Sequence, residues 1–262
     1  MMDHDAEIEK ATAQVVEDIK RLRQRIAEAE VPDDQEWFRS FLVGILTCAL
    51  TDYRSVEIGV TKLIELAAWG RRNLLELKVT TEYILRSEEN AVELRNDLSL
   101  DAIEFWESIS KSHQAMHKQC LNLLSELANQ EQGPIQAKLE EELQRDSELG
   151  PQTAESDAEA EGFREFLVSI GLKDGATPTR STKIAKLLGP DQKEDFDPLF
   201  KICSKLMHRT ILSIASNTVK GSLDAIAPFL KDSAAIDLRL IYAQINRYVT
   251  TTGIRLPPKR TP

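Results

Sequence analysis

Two short runs in this chain hold side chains whose types and spacing could do chemistry. In residues 199–210, LFKICSKLMHRT, the residues Lys201, Lys205 and His208 fall at i, i+4 and i+7. A helix would carry them as one continuous stripe, with Ser204 on its edge and Arg209 beside it. Phe200, Cys203, Met207 and Ile211 make the opposing apolar stripe. A face of ammonium groups with an imidazole has the composition of a catalytic or anion-binding surface. No acidic residue occurs from Leu199 to Leu223, in a chain whose formal net charge is −10. The plainer alternative is ordinary amphipathic patterning, with a histidine that is structural or faces solvent.

The second run is AAWGRRNLLELKVTTEYIL, residues 67–85. Arg72 and Glu76 share a helix face at a spacing of four, and Asn73 and Glu76 at three. Trp69, Leu74, Leu77, Val79 and Ile84 make the surroundings apolar, where unpaired charges are expensive. Either these groups form a structural ion pair, or Arg71 or Arg72 faces a polar pocket and grips a phosphate or carboxylate.

A third set, His113, His117 and Cys120, has the helical spacing of metal ligands. No glutamate accompanies them in the metalloprotease pattern, only three ligands are visible, and position 113 falls on a packing seam. No metal and no cofactor is therefore expected. Phosphate-binding glycine loops, nucleophile elbows and paired CxxC motifs do not occur.

The elements that must position these residues are helical almost throughout, because no alternating run bounded by turns reads as a strand. A charged helix is expected over about 5–30, packing along one narrow seam, and ends at Val31-Pro32. An apolar, central helix follows over EWFRSFLVGILTCAL. A third runs from Tyr53 to about Arg86, and Ser87 caps the next segment. In the fourth helix, Ala102, Trp106, Ile109, His113, Met116, Cys120, Leu123 and Leu127 form the seam. IQAKLEEELQRDSE makes one or two further charged turns, and helices cover FREFLVSIGL, RSTKIAKLLG and the run from about Pro198 to Lys220, then SLDAIAPFLK and SAAIDLRLIYAQINRYVTTTG. The domain scheme is a bundle half over 1–146, a flexible acidic linker at 147–162, C-terminal helices over 163–252 packed back onto the bundle as one domain overall, and an extended tail at 253–262. The fold class is all-α, an irregular helical bundle with long antiparallel helices.

Composition limits the partners. At 42% hydrophobic and 29% charged residues the chain is globular rather than disordered. Its acidic balance excludes an extensive duplex DNA footprint, while a small basic pocket for RNA or a nucleotide is compatible with it. No apolar run approaches the ~20 residues of a membrane span, and the acidic N-terminus has no signal-peptide pattern. With Cys48, Cys120 and Cys203 far apart in helical patterns, the expected location is the cytoplasm.

AWGRRNLLELKVTTEYILRSEENA and FDPLFKICSKLMHRTILS together resemble the two signature regions of a bacterial all-helical family of no assigned activity. That family pairs an Arg-Asn-x-x-Glu helix with a later Ser-Lys-x-x-His helix, here Arg72, Asn73 and Glu76, then Ser204, Lys205 and His208. More distantly the chain is similar to the HEPN superfamily of helical bundles, which includes defence ribonucleases. The resemblance implies metal-independent RNA cleavage in a homodimer. His208 would be general acid or base toward a 2′-hydroxyl, with Lys201, Lys205 or Arg209 stabilising charge on the phosphate. Active members place Arg with four to six residues between it and the His, and Lys201, Ile202 and Cys203 stand at those positions, so the motif is not intact. Two functions are expected: an RNA- or nucleotide-directed enzyme of defence or stress response, or a non-catalytic protein–protein interaction module with a buried polar network.

Overall fold

A computed structural model describes residues 2–169, 181–207 and 226–259, and among them there is helix and no strand. The chain forms two compact units, one of residues 1–93 with 179–262, the other of residues 94–178.

The first unit is built on α1 (Met2–Ala27), α2 (Glu36–Lys62), α3 (Ile64–Ile84), α7 (Ser181–Leu188), α8 (Pro190–Met207) and α9 (Ile226–Thr252). A single 3-10 turn, Asp33–Gln35, precedes α2. Helix α1 buries Thr12, Ile19, Leu22 and Ile26, a narrow seam at spacings of seven, three and four, against α2 and α9. The centre of this unit is α3, which touches α2, α7, α8 and α9.

Three boundaries differ from the sequence expectation. The helix expected from Tyr53 to Arg86 is two helices, because α2 continues to Lys62 and the chain reverses at Leu63, in an extended conformation (φ −156°, ψ 100°). The reversal needs close contact. A Cβ at Gly59 would lie 2.2 Å from the Ala67 backbone nitrogen, and one at Gly70 would lie 2.4 Å from the Asp52 carbonyl oxygen. Only glycine lets the two antiparallel backbones approach so far. Helix α8 likewise begins at Pro190, whose ring suits a first turn, and continues through Pro198. Helix α9 is one element and not two, since Pro228 lies in the first turn of its described part.

After α9 the chain turns at Gly253 (φ 72°) and returns along the bundle. The Tyr248 hydroxyl donates to the Arg255 carbonyl (2.6 Å), the Leu256 N–H to Gln35 Oε1 (3.2 Å) and the Glu88 N–H to the Pro258 carbonyl (3.3 Å). The segment expected as an extended tail is hydrogen-bonded to the bundle as far as Pro258.

Helix α4 (Glu88–Gln130) starts in the first unit, where Ser87 Oγ accepts the Asn90 N–H at 3.3 Å, the expected cap. From Leu94 on it belongs to the second unit, with α5 (Pro134–Leu149) and α6 (Ala154–Ser169). The expected seam of α4 is not the covered one. Met116, Leu123 and Leu127 are 64%, 59% and 47% exposed, whereas Ser110 and Ala128 are buried. This helix carries two apolar faces, and periodicity alone does not say which is covered. The expected acidic linker at 147–162 is helical apart from Gly150–Thr153. Its alanines and glutamates are strong helix formers, and Glu155 and Asp157 lie in the first turn of α6, where the helix dipole favours them.

Candidate functional site

The polar residues of α3 divide between two neighbours. Arg71 is 1% exposed. Its Nη1 donates to Asp237 Oδ2 at 2.6 Å, and its Nε donates to Ser233 Oγ at 2.7 Å. Lys78 lies two helical turns further along α3, with its Nζ 3.5 Å from the other oxygen, Asp237 Oδ1. Ser233 and Asp237 are four apart on α9, so one face of that helix supplies both acceptors. A carboxylate shared by two cations, with a hydroxyl completing the guanidinium, is how a charge this deep is kept.

Arg72 points to α8. Its Nε donates to Glu76 Oε1 at 2.9 Å, and its guanidinium carbon stands 4.4 Å from the centroid of the Phe200 ring. Phe200 is stacked on Phe196, with centroids 5.2 Å apart and planes at 20°. Both Arg72 and Glu76 remain partly accessible.

Asn73 points to α2. Its Nδ2 donates to Asp52 Oδ1 at 3.1 Å. Burial pushes the Asp52 carboxyl up to about 6, the Asn73 hydrogen bond opposes the shift, and the nearby Glu76 charge adds to it. Cys203 on α8 is buried, and burial raises its thiol to about 11, against the pull of Arg71 and Arg72. The thiol stays protonated and inert near neutral pH.

Lys201 and Lys205 are exposed on α8 and Ser204 is half-buried, while Cys203 and Leu206 turn inward. His208 and Arg209 lie outside the described residues. The structure thus brings Arg71, Arg72, Asn73 and Glu76 into packed contacts between helices and leaves Lys201 and Lys205 at the surface. Asp52, Lys78, Ser233, Asp237 and Phe200 were not among the candidate site residues. The one signal for Asp237 is an acid within the apolar run AAIDLRLIYA of a long helix.

In the second unit, His113 Nδ1 lies 2.6 Å from the Gln152 carbonyl, and Cys120 Sγ lies 3.9 Å from Asp146 Oδ2. His113, which the seam placed under cover, is exposed. Among the described residues no three histidine, cysteine or acidic side chains are grouped to hold a metal ion. Nor is any helix among them long and apolar enough to cross a membrane.

Comparison of the chain with protein-family models, curated proteins and solved structures gives no match.

Proposed function

We propose that this chain is a non-catalytic helical interaction module whose buried polar network fixes how α3 meets α9. The observation that carries this reading is the state of Arg71. A guanidinium 1% exposed and bound to Asp237 and Ser233 is not available to a ligand. Arg72 is likewise engaged by Glu76 and the Phe200 ring. Residues of this kind specify one packing of helices rather than act on a substrate. Support for a partner-binding role comes from Phe105, Met116, Leu123 and Leu127, large apolar side chains exposed on one side of α4.

A second reading keeps the HEPN-like, RNA- or nucleotide-directed activity of a bacterial defence or stress protein, with the site doubled across a homodimer. The exposure of Lys201 and Lys205 on one face of α8 favours it. Purified protein incubated with single-stranded RNA separates the two. No cleavage by wild type, or cleavage unchanged in His208→Ala, is the outcome expected of the interaction module. Cleavage by wild type that His208→Ala abolishes overturns it.

A further inference from the structure

A cavity of about 770 Å3 opens between α1, α2 and α9 within the first unit. That volume lies in the range of small-molecule sites. Its walls carry alanine, valine and proline side chains, among them Val16, Val60 and Pro228. Its polar groups are Glu9, Thr12, Tyr53, Glu57, Lys231 and Asp232.

The charges are unequal. Lys231 is taken by Glu9, with Nζ 2.7 Å from Oε1. Glu57 and Asp232 have no ion-pair partner among the described residues. Arg239 donates to Thr12 Oγ1 at 2.9 Å, so one more cation lies nearby, and the three carboxylates still outnumber the two cations. Tyr53 gives an independent indication. It is 4% exposed and lines the cavity, yet its hydroxyl has no hydrogen-bond partner among the described residues. A buried phenol normally finds a partner. Burial and the charges of Glu57, Glu9 and Asp232, against Arg239, push this phenol up to about 12. The hydroxyl therefore sits in a negative field and keeps its proton, with its oxygen lone pairs open to a donor.

We propose that this cavity binds a small organic cation, an alkyl- or aryl-ammonium compound. Its ammonium group lies between Glu57 and Asp232 and donates to the Tyr53 oxygen, and its apolar body rests on the alanine, valine and proline walls. An anion is disfavoured by the carboxylates, and a bare metal ion would leave the apolar walls without contact.

Isothermal titration calorimetry of the full chain with 2-phenylethylammonium tests this, with 2-phenylethanol and 3-phenylpropionate as neutral and anionic counterparts of similar shape. The expected order is ammonium tightest, the alcohol at least about tenfold weaker, a difference set by one good charge contact, and the carboxylate weakest. Glu57→Gln and Asp232→Asn, both at exposed positions, should each weaken the ammonium and leave the alcohol unchanged. Tyr53→Phe should weaken the ammonium more than the alcohol. No heat from the ammonium up to about 10 mM, well above the concentrations at which small ligands bind specific sites, overturns the proposal. Equal binding of the three ligands overturns it too, as does binding that Glu57→Gln and Asp232→Asn leave unchanged. If Tyr53→Phe does not fold by circular dichroism, the ligand series on wild type decides.

Discussion

Replacing Asp237 by alanine removes the acceptor of the most buried charge in the first unit. Arg71 would keep only Ser233 Oγ at 2.7 Å, and Lys78 would lose the oxygen 3.5 Å away. Breaking a buried pair by deleting one partner costs about 3–5 kcal/mol, because the remaining charge stays desolvated. For a unit of this size, about 2–4 °C per kcal/mol makes that a fall in Tm of about 6–20 °C. The sharper measurement is a double-mutant cycle with Arg71→Met, read by urea unfolding of the four proteins. Methionine takes up much of the arginine's volume without its charge, so Asp237→Ala in that background should cost far less than alone. The coupling is expected to exceed about 1.5 kcal/mol. A loss below about 1 kcal/mol for Asp237→Ala, or additivity of the two changes to within about 0.5 kcal/mol, would refute the claim that the pair fixes the packing of α3 on α9.

Asp52→Asn should raise stability at pH 7.5, since Asn73 can still donate to the new amide oxygen while the buried charge is gone. A carboxyl shifted from 3.8 up to about 6 binds its proton more tightly in the folded state. Its ionised form therefore costs stability as pH rises through that window, by up to about 3 kcal/mol above it, and the gain from Asp52→Asn should vanish below about pH 4. Urea midpoints across pH 4–8 check the sign, and a constant difference would contradict it. Gly70→Ala, which in an exposed helix would stabilise by up to about 1 kcal/mol, should instead destabilise by at least about 1–3 kcal/mol, as a thermal melt will show. Its Cβ has the Asp52 carbonyl 2.4 Å away and backbone cannot give way as a side chain can. In thiol labelling with Ellman's reagent, exposed Cys120 should react first, and buried Cys203 only at the rate of unfolding.

Helix content was legible because its signals are local. Ile19, Leu22 and Ile26 repeat at helical spacing, Ser87 stands before glutamates, and Arg72 finds Glu76 one turn along. What escaped was set by distant or negative features. Nothing at Leu63 marks a reversal, and the cause lies in Gly59 and Gly70, which matter only once α2 and α3 face each other. Pro198 looks like a boundary because its cost to a helix is local, whereas the packing of α8 on α3 that outweighs it is not. On α4 the row of Met116, Leu123 and Leu127 competes with the row of His117, Leu121 and Leu124, and hydropathy does not separate them. Of the site, Arg71 could be named from its neighbours, but Asp237 could not be paired with it, because the two are 166 residues apart.

That separation also has a meaning in time. At about 5–20 residues per second of synthesis, Asp237 follows Arg71 off the ribosome after roughly 8–30 s. For most of that interval α1, α2 and α3 are already made while α8 is not, and throughout it α3 lacks α9 to cover the face that holds Arg71 and Lys78. Charges on that face keep it hydrated while it waits, and the same charges bar the hairpin of α2 and α3 from settling against a wrong apolar surface, which would bury Arg71 with no carboxylate to meet it. The network that holds the finished bundle is thus also a delay on its closure until residues 226–252 arrive.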